Sequence, residues 1–155
     1  MIRHGPTAMK REHDELHTAL TLASYRGGRT AAAATEVTRL LRPHFIKEEA
    51  FVLPVLGVLP ELAQGKVETV VPEVLNMVDR FAAEYEQMLA DHKAIGAALK
   101  TLSAAATDEG KSEVLSLGRQ LAVHAQMEEE LAYPATLLVG RYLQAISAIP
   151  PRATS

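Results

Sequence analysis

The 155-residue chain contains no cysteine. That absence excludes disulfide scaffolds, thiolate metal sites, iron–sulfur clusters and thiol catalysis, so any bound metal must sit on nitrogen and oxygen. It also fits a reducing compartment, and a cytoplasmic location is the expectation. Aromatic residues are scarce, with three Phe, four Tyr and no Trp, and no segment shows the sustained apolar/polar alternation of a half-buried strand. An excess of one charge is missing too. Sixteen Lys and Arg stand against nineteen Asp and Glu, a net charge of -3 with the basic residues dispersed, which argues against nucleic acid as a partner. The longest apolar run, Ala50 to Leu59, is broken by Pro54 and Gly57, and Met1 to Pro6 leads into charged residues. Neither a membrane span nor a leader peptide is expected.

What is present favours helix. Ala, Leu, Glu, Lys, Arg and Gln dominate, and 48% hydrophobic content supports one sizeable core rather than two domains. The chain reads as all-α. A first helix runs from about Thr7 to Tyr25 and ends at Gly27-Gly28; a second runs from about Thr30 to Leu53 and ends at Pro54. Gly57 to Val71 is the one long connection. A third helix starts at Pro72 and reaches about Ala105, and Thr107 or Asp108 caps a fourth that continues to about Leu131. Pro134 then interrupts the pattern, a short helix covers Ala135 to Ala145, and Pro150-Pro151 begins a disordered tail. Short loops turn each helix pair into a hairpin. The expected architecture is an up-down-up-down four-helix bundle with a short extra C-terminal helix, the bundle over residues 1–146 and the tail over 147–155.

Each expected helix has one core stripe, and each stripe carries a histidine. The first offers Met9, His13, Leu16, His17 and Leu20; the second Val37, Leu41, His44, Glu48 and Val52; the third Met88, His92, Ile95 and Leu99; the fourth Leu117, Leu121, His124, Glu128 and Leu131. The stripes are also internally repeated. A shift of 80 residues lays Leu41 on Leu121, His44 on His124, Glu48 on Glu128, Glu49 on Glu129 and Pro54 on Pro134, and a shift of 79 lays Met9 on Met88, Glu12 on Asp91, His13 on His92 and Leu20 on Leu99. The molecule reads as two related hairpins, each giving one His from its first helix and a His-x-x-x-Glu from its second.

Residues four apart share a helical face, so His44 with Glu48, and His124 with Glu128, can each converge on one point. One such pair is expected by chance among six histidines and nineteen acids. Counting residues outward from each hairpin turn, however, puts His13 level with His44 and His92 level with His124 to within about 3 Å. Four imidazoles and two carboxylates then share one layer of an apolar bundle, where an unpaired carboxylate costs several kcal/mol. A histidine–carboxylate hydrogen-bond network is one way to compensate them. A metal centre is the stronger reading: these donors suit first-row metals, two glutamates from opposite helices can bridge a pair of ions, and six ligands leave positions open on two. His17, one turn beyond His13, is a candidate fifth nitrogen ligand or a packing residue. Glu49 and Glu129 point away from the layer and are expected to be solvated or supporting, while Tyr85 and Tyr133 can approach the centre or donate a hydrogen bond, with packing as their default role.

Glu12-His13, His44-x-x-x-Glu48-Glu49 before Pro54, Asp91-His92 and His124-x-x-x-Glu128-Glu129 before Tyr133-Pro134 together resemble the H, HxxxE, H, HxxxE pattern of hemerythrin-like (HHE cation-binding) domains, over about Lys10 to Leu138. The resemblance implies a non-haem di-iron site, with His13, His44, His92 and His124 as terminal ligands and Glu48 and Glu128 as carboxylate bridges. Two iron ions with an oxo or hydroxo bridge are the implied cofactor, with manganese or zinc as alternative occupants. The pattern departs from oxygen-carrying hemerythrins at two places: Gly96 stands where they have a second histidine, and the last acid is a glutamate at +4 rather than an aspartate at +5. Both departures move the expectation toward the broader bacterial relatives. The expected function is to bind, sense or reduce a small species such as dioxygen, nitric oxide or peroxide at open iron positions, with no catalytic residue assigned. The alternative is an iron- or oxygen-responsive regulatory module without turnover. Small diatomic or peroxide ligands are the expected partners.

Overall fold

The structure, a computed structural model, describes residues 4–66 and 71–148. Helix α1 spans Thr7–Ser24, α2 Gly28–Phe51, α3 Leu53–Leu56, α4 Leu59–Ala63, α5 Val71–Asp108 and α6 Ser112–Met127; a π-helical turn over Glu128–Ala132 then leads into α7, Tyr133–Ser147. No strand occurs among the described residues, so the all-α expectation holds. Residues 149–155 of the expected tail, with Pro150 and Pro151, lie outside the described residues, as do 67–70 of the long connection.

Two turns made possible by glycine set the helix order. Gly27 and Gly28 have φ of 72° and 69°, and Gly110 has 67°; this left-handed region carries a steric cost for any residue with a Cβ. The Gly110 turn, rather than Thr107 or Asp108, ends one helix and starts the next. Thr107 donates its hydroxyl back to the Ser103 carbonyl at 2.8 Å, so it continues α5 instead of capping α6. Around the molecule α1 packs on α2 and α6, and α5 packs on α2 and α6, giving a closed ring of four long helices in chain order; α3 and α7 pack on α5. One apolar cluster includes Leu16, Leu20, Val37, Leu41, Leu99 and Leu121. Another joins Phe51, Leu53, Phe81, Met88 and Tyr133. Leu20 and Leu102 are 0% exposed, and each such burial contributes about 1.5–3 kcal/mol.

The expected break at Pro134 does not occur. The Tyr133 N–H donates to the Glu128 carbonyl, five residues back, so the turn accommodates one residue more than an α-turn. Pro134, which lacks an N–H, then falls in the first turn of α7, where none is needed. The surplus residue also rotates the stripe. Leu131, expected in the core, is 61% exposed, and Ala132 and Tyr133 occupy the inward positions. The equivalent Pro54 does end its helix: α2 stops at Phe51 and Pro54 opens α3. Pro43 lies within α2 without ending it.

At the glycine end the two hairpins are latched by Glu109. Its carboxylate accepts hydrogen bonds from the Arg29 N–H at 2.7 Å, the Thr30 N–H at 3.1 Å and the Thr30 hydroxyl at 2.5 Å, so a residue of the second hairpin caps α2 of the first. Lys111 answers by donating Nζ to the carbonyls of Arg26 and Gly27 at 3.2 and 3.0 Å. These bonds, led by that of the Thr30 hydroxyl, hold the Glu109 carboxyl at about 2, below its ordinary 4.5. A depressed folded-state value adds stability that is full above the unfolded value and vanishes as pH falls through the folded one. Glu109→Gln is therefore expected to flatten the fall in melting temperature between pH 4.5 and about 2. Parallel wild-type and variant curves across that window would remove the latch.

Candidate metal centre

Helical periodicity brings the six expected residues to one place. His13 projects from α1, His44 and Glu48 from adjacent turns of α2, His92 from α5 and His124 from α6, while Glu128 opens the π turn. None is more than 6% exposed. They fall into two groups of four, His13, Glu48, His124 and Glu128, and His44, Glu48, His92 and Glu128; in each, one ligand atom per residue lies within 4.8 Å of the others. Both glutamates belong to both groups. His124 Nε2 lies 2.7 Å and His13 Nε2 3.4 Å from Glu128 Oε1, whose other oxygen is 3.2 Å from His92 Nε2. Glu48 faces His13 Nε2 at 3.5 Å through Oε2 and His44 Nε2 at 3.2 Å through Oε1.

Two observations fit these donors to cations. Nitrogen and oxygen ligands about 2.1 Å from one ion lie at most about 4.2 Å apart, close to the span of each group. Glu48 Oε2 is buried without a hydrogen-bond partner, an omission that costs about 1–3 kcal/mol and that a cation beside it would remove. Among charged neighbours, Glu128 is held far below the ordinary carboxylate range: burial opposes its ionisation, but hydrogen bonds from His124, His13 and His92 outweigh it. His92 and His124 are correspondingly raised, burial again opposing and Glu128 prevailing.

Around the inner six runs an outer ring of acids. His92 Nδ1 meets Glu129 Oε1 at 2.9 Å; His13 Nδ1 meets Glu49, His44 Nδ1 meets Asp91 and His124 Nδ1 faces Glu12, each at 3.4 Å. Each acid thus serves the histidine of the preceding helix in the ring. A carboxylate on Nδ1 keeps the proton there and leaves Nε2, the inward nitrogen, with its lone pair free for a metal. The acids are tethered in turn: Lys10 Nζ donates to Glu49 at 3.2 Å and Gln87 Nε2 to Asp91 at 2.8 Å. Glu49 and Glu129 are therefore supporting residues, as expected. Glu12 and Asp91 were visible in the sequence only as matching positions of the repeat, each directly before a site histidine.

The two groups differ in their aromatic neighbour. Phe45 stacks on His13 with centroids 3.9 Å apart. Tyr133, wholly buried, stacks on His92 and donates its hydroxyl to Glu48 Oε1 at 2.6 Å, with His44 and His92 Nε2 at 3.2 and 3.3 Å. Of the two roles open to Tyr133, the hydrogen bond at the centre rather than the default of packing is found, because the π turn rotates it inward. Burial first, and the adjacent Glu48 and Glu128 charges next, push its phenol far above the ordinary range, so it keeps its proton. Tyr133→Phe keeps the ring and deletes the donor, at an expected cost of about 1–3 kcal/mol or roughly 2–12 °C in the melting temperature of the metal-free chain. An unchanged melting temperature would mean that this bond carries no stability. His17 is half-buried and is not among the converging side chains.

The hemerythrin HHE cation-binding domain family matches residues 4–136. This chain belongs to that family. No curated protein and no solved structure matches it. As a hemerythrin HHE domain it has a buried His and Glu cluster suited to cation binding, and no helix among its described residues is long and apolar enough to cross a membrane.

Proposed function

We propose that this hemerythrin HHE domain is an up-down-up-down bundle over residues 1–146 that holds two iron ions and binds a small diatomic or peroxide ligand, which it senses or reduces. The observation that carries the reading is the division of six buried donors into two groups sharing Glu48 and Glu128. In this assignment His13 and His124 hold one ion, His44 and His92 the other, and the two glutamates bridge. Iron so held supplies redox chemistry and positions left open by the protein for a small ligand. The chain's own residues do the rest. The outer acids keep the four Nδ1 protons in place, the apolar clusters exclude water, and the Tyr133 hydroxyl, its oxygen 2.6 Å from Glu48 Oε1, donates its proton to that carboxylate. The donor chemistry also accepts manganese or zinc, so the test measures the metal. Elemental analysis of protein purified from iron-replete cells is expected to give two irons per chain, with an absorbance spectrum that changes on adding azide or peroxide. A folded, colourless chain without transition metal would overturn the proposal.

A further inference from the structure

All six inner residues are buried, so a small ligand needs a way in, and the internal repeat shows where one opens. A groove of about 610 Å³ between α5 and α6 is floored by His92, Gly96, Gly118, Ala122 and Ala125. The neighbouring cavities reach the outer acids Glu49 or Glu12 but none of the inner six. The shifts of 79 and 80 that align the hairpins set Gly96 against His17 and Ala125 against Phe45. Where the first hairpin has an imidazole and a phenyl ring, the second has a hydrogen and a methyl. A Cβ built on Gly96 meets nothing within 4 Å, so the space is open up to the helix backbone.

The charges differ between the halves in the same way. Lys93, Lys100 and Arg119 line the groove; by the same shifts Lys93 replaces Asp14 and Lys100 replaces Thr21. Arg39, the counterpart of Arg119, is bound to Glu36, but Ser116 stands where that glutamate would be. None of the three groove cations pairs with an acid among the described residues. The one acid of the groove, Glu129, is engaged with His92 Nδ1 at 2.9 Å. Unpaired cations around a mostly apolar groove attract small anions.

We propose that the α5–α6 groove is the access port and first binding site for a small inorganic anion, held among Lys93, Lys100 and Arg119 and passed over Gly96 and Ala125 toward His92. This inference rests on the proposed metal-binding function and adds to it a route and a charge preference. Stopped-flow absorbance of the iron-loaded full chain with azide tests it. Gly96→Leu, which fills open space and improves helix propensity, and Ala125→Phe, which copies the first hairpin, are each expected to slow azide binding several-fold without altering metal content or the final spectrum. Lys93→Glu with Lys100→Glu is expected to slow azide about tenfold and to invert the salt dependence of its rate, while leaving the rate for uncharged hydrogen peroxide unchanged. In the metal-free chain, azide is expected to shift the Gly96 and Gly118 amide resonances saturably, and those shifts disappear in the double Glu variant. Unaltered azide rates in both filled variants, or amides unmoved by azide, overturn the groove while the metal centre stands. A wild-type chain that binds iron but gives no azide response, or binds no metal, overturns the functional reading and the groove with it.

Discussion

Glu128→Ala leaves the chain without bound metal, whereas His13→Ala retains one ion: this is the largest effect expected here. Glu128 belongs to both donor groups and touches three of the four histidines, whereas His13 belongs to only one group. In the proposed assignment, losing the shared acid would take a negative donor from both donor groups at once. Losing His13 leaves His44, His92, Glu48 and Glu128 intact. Even without metal, deleting Glu128 strips three buried imidazoles of their acceptor. Breaking a buried pair from one side costs about 3–5 kcal/mol, or roughly 6–20 °C for a chain of this size. Elemental analysis after dialysis, beside thermal melts, measures both. Equal metal contents in the two variants would rule out the shared-bridge arrangement.

Glu129→Ala is expected to weaken metal binding by about 10–100-fold, more than the matching change at Glu12, Glu49 or Asp91. Its oxygen stands 2.9 Å from His92 Nδ1, a full hydrogen bond, while the other three lie at 3.4 Å, where the contact is largely electrostatic. Without the acceptor, the His92 proton can move to Nε2 and occupy the nitrogen that should face the ion. Glu129 is partly exposed, 44% by side chain, so water takes over some of its role and sets the lower end of the range. Chelator-competition titration of the four alanine variants ranks them. A flat ranking would show that the outer acids act only through net charge.

The inner site was legible because it depends on two local facts, helical spacing and the doubled His-x-x-x-Glu, and both survive folding unchanged. His44 and Glu48 share a face wherever the helix goes. The outer ring was not legible in the same way, since Glu12 reaches His124 and Asp91 reaches His44 only once the order of helices around the ring is known. The Glu109 latch escaped notice for the same reason: it caps a helix 79 positions away. Leu131 leaves its expected core position, and Tyr133 its default packing role, for a more local reason. Counting in fours fails across a turn that closes on its fifth residue, and a proline that signals a helix end in sequence instead sits where the widened turn needs no N–H, so the rod carries on beyond it.

That widened turn constrains how the last third of the molecule can change. Rewinding it to ordinary pitch without removing a residue would swing every later position by about 100° about the axis. Tyr133, Thr136, Val139, Gly140 and Leu143, now buried together, would face water at once, and Gly140, whose missing side chain makes room for Val78, would no longer match its neighbour. The rod from Ser112 to Ser147 therefore keeps its phase only while that turn absorbs its surplus residue, and the turn begins at the residue that also supplies the shared carboxylate.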